Sequence, residues 1–224
     1  MSVNPGRHAL IFDTETTGIP DFHQPSDSAG QPYLVELGMV LVTLPDLKVV
    51  DTFQTLIQPA GWELTDELTA IHGITTAMCA ENGMPVKAAL TQYWRWANFA
   101  HVHIAYNAQF DRRIMRIALL RNGATREPIE SMAANRRLLD PCSVCTPIAA
   151  LPPTDKMRRS GRWKYKTPKL KESFFALFGR EMSDAHTALG DVMALHEIVR
   201  ELVKRGKMTF DDEPRIVQST EDKR

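Results

Sequence analysis

Residues 8–12, His-Ala-Leu-Ile-Phe, form a short continuous apolar run that stops on Asp13. A run of this length without polar alternation is the pattern of a strand buried on both faces. Strand-like and helix-like segments then follow in alternation. Tyr33–Leu44 and Lys48–Ile57 read as two further strands joined through Pro45-Asp46, the β-branched content of the second favouring a hairpin. Between the first two strands lies a turn-rich stretch from Gly18 to Pro32, with three prolines and two glycines.

Thr65-Asp-Glu-Leu has the signature of a helix start, with Gly73 after His72 as its stop, and Pro85 opens a longer helix. Val102–Tyr106 reads as a strand, and a helix is expected from about Gln109 to Asn122-Gly123. A short strand is expected around Leu138–Val144. Two more helices are expected, one from Pro168 to Gly179 and one from about Thr187 to Arg205, ending at Gly206. The pattern predicts a single α/β domain over residues 1–206, a sandwich around a mixed five-stranded sheet. In that sheet three antiparallel strands are followed by parallel ones. Residues 207–224 are expected as a polar, frayed tail.

Composition excludes several classes. Of 224 residues, 43% are hydrophobic and 24% charged, as in ordinary soluble proteins. No apolar run approaches the roughly 20 residues a membrane span needs; the best candidate, Leu34 to Leu44, is broken by Glu36. The N-terminus does not read as a signal peptide, so the expectation is a cytoplasmic protein with no membrane partner. Cys79, Cys142 and Cys145 are too few for a disulfide framework. Cys142-Ser-Val-Cys145 has the spacing of half a zinc site, but nothing completes it, and the two cysteines read as lying on a strand and its following loop.

The 27 basic and 27 acidic residues cancel, which disfavours a protein that coats nucleic acid nonspecifically. Between Lys156 and Lys171, however, eight of sixteen residues are Lys or Arg, with Trp163 and Tyr165 interleaved. Arg162, Trp163 and Lys164 at its centre combine charge with stacking surface, as a single-strand contact requires; a solvated basic loop would show the same pattern.

Three separated segments carry candidate chemistry. Asp13 and Glu15 lie two apart at the end of a buried strand, where i and i+2 project to one face, so both carboxylates can bind one metal. Acidic residues after a strand are commonly mere loop polarity, but here Thr16, Thr17 and Gly18 follow, offering hydroxyls and a permissive turn for the end of a nucleotide. On the last helix, Asp191 falls in line with Leu195, Ile198 and Leu202, on the inward face, where a carboxylate is costly unless paired or metal-bound. On the same wheel His186 would point outward. It is therefore expected on the loop before the helix, free to act as a base of near-neutral pKa. Asp111, beside Met115 and Ala118, is also expected inward, although a helix N-terminus favours an Asp in any case. His8, His23, His101, His103 and His196 read as structural or surface residues.

DTETTG, YNAQFD and HTALGD, in this order, resemble the three motifs of the DEDDh 3′→5′ exonucleases, nearest to the branch of the proofreading epsilon subunit of bacterial DNA polymerase III. VELGMV, AIHGIT and TPKLKESFFALFG add supporting matches, and the resemblance covers about residues 8 to 203. It implies an RNase H-like three-layer sandwich and release of nucleoside 5′-monophosphates from a 3′ end with two Mg²⁺ or Mn²⁺ ions. Asp13, Glu15 and Asp191 would hold the first ion, Asp13 would bridge to the second, and Asp111 would act largely through water. His186 would deprotonate the attacking water. Glu67 and His72 would contact the terminal nucleotide, although His72 can also be read as a helix-terminal cap, and Asn107 belongs to the substrate-facing set.

The implied partner is DNA, single-stranded by preference. An RNase T- or oligoribonuclease-like enzyme that trims RNA is the alternative, and a silent module that binds nucleic acid or a polymerase is a remote one. The long interval between Asp111 and His186 and the short tail lean toward a free-standing enzyme, with a polymerase partner possible but not required.

Overall fold

The computed structural model describes residues 7–135, 137–183, 187–210 and 214–217. In chain order its elements are β1 (His8–Thr16), β2 (Leu34–Thr43), β3 (Val49–Leu56), α1 (Asp66–His72), α2 (Thr76–Asn82), α3 (Val86–Phe99), β4 (Val102–Ile104) and α4 (Gln109–Arg121). They continue as α5 (Arg126–Asn135), β5 (Arg137–Leu139), α6 (Cys142–Ala149), α7 (Asp155–Arg159), α8 (Leu170–Phe178), α9 (Ala188–Lys204), β6 (Met208–Thr209) and β7 (Arg215–Ile216).

The main sheet has the order β3-β2-β1-β4-β5. β1 pairs antiparallel with β2, and β2 antiparallel with β3. β4 and β5 join in parallel. The expected mixed five-stranded sheet is therefore the one formed, with β1 at its centre.

Alternation along β1 assigns its side chains to two cores. Ala9 and Ile11 pack with Val40, Leu195, Ile198 and Val199 on the α9 side. Leu10 and Phe12 pack with Met39, Tyr93, Ile114 and Ile117 on the side of α3 and α4. All four β1 residues are at most 1% exposed, so the strand is buried on both faces and the helices form the two outer layers of a sandwich. Burial on this scale contributes about 1.5–3 kcal/mol for each large apolar side chain.

The turn-rich stretch between β1 and β2 is tied to α4 and α5 by arginines. Arg121 donates to Pro32 O at 2.8 Å and Gln31 O at 2.6 Å, Arg113 donates to the carbonyls of Asp21 and Gln24, and Arg126 pairs with Asp27. No helix among the described residues is long and apolar enough to cross a membrane.

Four expectations are corrected. The strand anticipated at Leu138–Val144 ends at Leu139, and the residues after Pro141 turn into α6. Both cysteines of the CxxC pair accordingly lie on that helix, buried and free, rather than on a strand and loop. Asp140 accepts the Cys142 N–H at 3.0 Å, capping an orphan donor that a sequence pattern does not display. The basic stretch is not wholly loop, since α7 begins it, with Thr154 capping the Met157 N–H at 3.2 Å. α2 and α5 were not anticipated. Lastly, the residues directly after Gly206 are not frayed: Met208 and Phe210 are buried in the core on the α9 side, and β6 pairs with β7.

Candidate metal centre

The alternation that splits β1 between two cores continues past Phe12. Asp13 and Glu15 continue the α9 side and are half-buried, whereas Thr14 and Thr16 continue the α4 side and are buried. Each set meets a different helix. On the α9 side, Asp13, Glu15 and Asp191 each offer a carboxylate oxygen, and these oxygens lie within 4.8 Å of one another. On the α4 side, Asp111 is only 2% exposed. Its Oδ1 accepts from the Thr14 N–H at 3.0 Å and the Thr14 hydroxyl at 2.8 Å. Asp111 is thus held beside the three-carboxylate cluster by the residue that lies between two of its members.

Two further carboxylates fix the helices that carry these groups. Asp140 Oδ1 accepts from the Asn107 N–H at 3.0 Å and Oδ2 from the Ala108 N–H at 3.1 Å, at the start of α4. Asn107 itself adopts φ 57°, a left-handed conformation to which Asn is suited. At the start of α9, Glu36 Oε2 accepts from the Ala188 N–H at 2.9 Å, and Thr187 Oγ1 accepts from the Gly190 N–H at 3.0 Å. Sequence reasoning assigned no role to Glu36, Gly38 or Asp140. The signal available for Glu36 was an acid inside an otherwise apolar strand.

Crowding of acids in a partly desolvated place shows in their proton affinity. Burial, then the charges of Asp111, Asp191, Glu15 and Glu36, raises the Asp13 pKa well above the usual carboxylate range. Burial, then Asp191, Glu36 and Asp111, pushes Glu15 up to about 8. Burial raises Asp111 to about 7 despite the opposing hydrogen bonds from Thr14. A site that resists ionisation in this way is relieved by a cation, and hard carboxylate oxygens suit Mg²⁺ or Mn²⁺. The donor set therefore fits a divalent metal.

The other expected site residues are distributed as follows. Thr16 donates its hydroxyl to Gly18 O at 2.6 Å, and Thr17 Oγ1 accepts from the Tyr33 N–H at 2.9 Å, so both shape the turn after β1. Glu67 is exposed in the first turn of α1. His72, 3% exposed, ends that helix; its Nδ1 accepts from the Ile74 N–H at 3.1 Å. This assigns the proton of the neutral ring to Nε2, which is buried and has no partner among the described residues. His72 is thus a cap and, on its other nitrogen, a donor without an acceptor among the described residues. Arg162, Trp163 and Lys164 are exposed just after α7, Trp163 at 71%. His186 lies outside the described residues; α9 begins at Ala188 with Thr187 as its cap. His103 and His196 are buried and bonded to the carbonyls of Ala97 and Leu47, in agreement with a structural role.

The family model for RNase_T, an exonuclease family, matches residues 10–199. Among solved structures, the chain is similar to Escherichia coli exonuclease I in complex with a dA16 oligonucleotide, at 19% identity and a TM-score of 0.68, over 89% of this chain and 41% of that one. It is also similar to the moderately thermophilic exonuclease I of Methylocaldum szegediense, at 22% identity and a TM-score of 0.64, over 89% and 41%. This chain therefore spans about two fifths of the length of those proteins, and the likeness shows a shared RNase H-like fold. No curated protein sequence matches the chain.

Proposed function

Because the chain belongs to the RNase_T exonuclease family, of the DEDDh 3′→5′ type, we propose that it hydrolyses phosphodiester bonds from the 3′ end of DNA, single strands by preference, releasing nucleoside 5′-monophosphates. The observation that carries this reading is the convergence of Asp13, Glu15 and Asp191, with Asp111 alongside, at the end of the central strand. The exonuclease I structures determined with dA16 and dT13 oligonucleotides support a single-stranded DNA substrate.

Asp13, Glu15 and Asp191, with Asp111 alongside, would hold the two divalent ions. When bound, such ions lower the pKa of an attacking water and neutralise charge on the entering and leaving oxygens. His186 would serve as the general base for the attacking water. Thr16, Thr17 and Asn107 shape the backbone around the terminal nucleotide, which Glu67 and the Nε2–H of His72 contact. Arg162, Trp163 and Lys164 take the strand further from the 3′ end by charge and stacking. The RNase_T family name favours one alternative, trimming of RNA by the same chemistry. A silent binding module fits less well, since it has no need to keep three half-buried acids together.

The test uses single-stranded DNA, duplex DNA with mispaired 3′ ends and single-stranded RNA of matched length, with Mg²⁺ or Mn²⁺, beside EDTA and the Asp13→Ala variant. Stepwise 3′ shortening of single-stranded DNA is expected, absent in both controls. Activity surviving Asp13→Ala would sink the metal assignment, and faster loss of RNA than of DNA would promote the alternative.

A further inference from the structure

β2 is apolar and buried along almost its whole length, Leu-Val-Glu-Leu-Gly-Met-Val-Leu-Val, yet it carries a carboxylate at Glu36 that is only 3% exposed. A buried carboxylate is costly unless its oxygens are satisfied. Glu36 Oε1 accepts from Gln54 Nε2 on β3 at 2.7 Å, and Oε2 accepts from the Ala188 N–H at 2.9 Å. Ala188 is the first residue of α9, where an unpaired N–H and the positive end of the helix dipole both favour an anion.

Two residues along the same face of β2 is Gly38. A Cβ there would stand 2.4 Å from the Ala188 carbonyl carbon and 2.5 Å from its oxygen. Glycine thus sets how closely the first turn of α9 approaches the sheet, and glutamate sets which backbone group it meets. These two positions are the cross-strand partners of two members of the acidic cluster: Asp13 pairs with Gly38, and Glu15 with Glu36.

We propose that Glu36, with Gly38, is a positioning residue that fixes α9 along its axis so that Asp191 meets Asp13 and Glu15 at metal-binding distance. Asp191 lies three residues beyond Ala188 and moves rigidly with it. A slip of one helical residue displaces a side chain by about 1.5 Å along the axis and about 100° around it, enough to break a cluster closed within 4.8 Å. This inference rests on the metal-centre reading above and names the device that assembles it.

Mn²⁺ binding to the full chain, measured calorimetrically without nucleic acid, tests it, with thermal melting in EDTA as the control for folding. Glu36→Ala is expected to weaken Mn²⁺ binding on the order of 10–100-fold, the usual cost of losing a group that orients ligands. Glu36→Gln keeps an oxygen for the Ala188 N–H and should bind near the parental level. Gly38→Ala changes no charge but displaces Ala188, and should weaken binding in a protein that still melts cooperatively.

Parental Mn²⁺ affinity in Glu36→Ala, or in folded Gly38→Ala, would overturn the proposal. So would equal losses in the Gln and Ala variants, which would make charge rather than position the cause. Should Glu36→Ala not fold, the Gln and Gly38 variants decide. Asp191→Asn separates the two levels: if it binds Mn²⁺ like the parent, the metal centre itself is wrong.

Discussion

The acidic centre and the basic segment after α7 are built in opposite ways. The first joins residues far apart in sequence: Thr14 bonds to Asp111, and Glu36 bonds to the backbone of Ala188. Its carboxylates are at least half-buried. The second is local and open, with Trp163 71% and Tyr165 49% exposed. Arg162 makes its described bonds only within the segment, to Ser160 and Met157. Chemistry on a phosphodiester needs groups held in place before the substrate arrives. Holding a strand of arbitrary sequence needs charge and flat surface that can adapt. One region is therefore expected to govern turnover and the other affinity.

The largest test of that division is His186→Ala. Loss of a general base should lower turnover roughly 10²–10⁴-fold, while Mn²⁺ affinity and binding of single-stranded DNA stay near parental. Lost Mn²⁺ affinity would instead make His186 a ligand. A middle-sized effect is expected from Trp163→Ala: removal of one stacking platform costs about 1–3 kcal/mol, read as a raised KM on long single strands. Turnover on a dinucleotide should be unchanged; a fall there would give the basic segment a part in the chemistry.

The smallest expected effect is on stability. Burial holds Glu15 near 8 and Asp111 near 7, and raises Asp13 as well. The folded, metal-free protein therefore keeps protons that the unfolded chain has released, and its stability falls as pH rises from about 4 towards 8. Melting in EDTA should shift a few degrees lower across that window, and Asp13→Asn or added Mn²⁺ should flatten the trend. A melting temperature that rises with pH would show that the acids are not mutually confined.

Much of the frame is legible in the sequence. His8–Phe12 announced a strand buried on both faces because nothing in it alternates, and the inward placement of Asp191 followed from helical periodicity alone. Less legible was whatever depends on backbone partners distant in sequence. α6 forms behind Pro141 with Asp140 as its cap, and no apolar period marks it. Met208 and Phe210 belong to the core although the residues around them are polar, since two anchors in a short segment make no pattern. Glu36 looked like an interruption in an apolar strand. Its partners, the Gln54 amide and an N–H 152 residues away, are visible only in three dimensions.

The alternation of β1 has a consequence for how such a chain can change. Its apolar positions tolerate exchange among residues of similar volume, since each meets a conventional core. Loss or gain of a single residue anywhere between His8 and Phe12 is different. Loss would hand the places of Asp13 and Glu15 to Thr14 and Thr16, gain would hand them to Phe12 and Thr14, and either would swing both carboxylates toward the opposite layer. The strand can drift in spelling but not in frame, and its length works as a gauge that keeps the acids on the side where Asp191 waits.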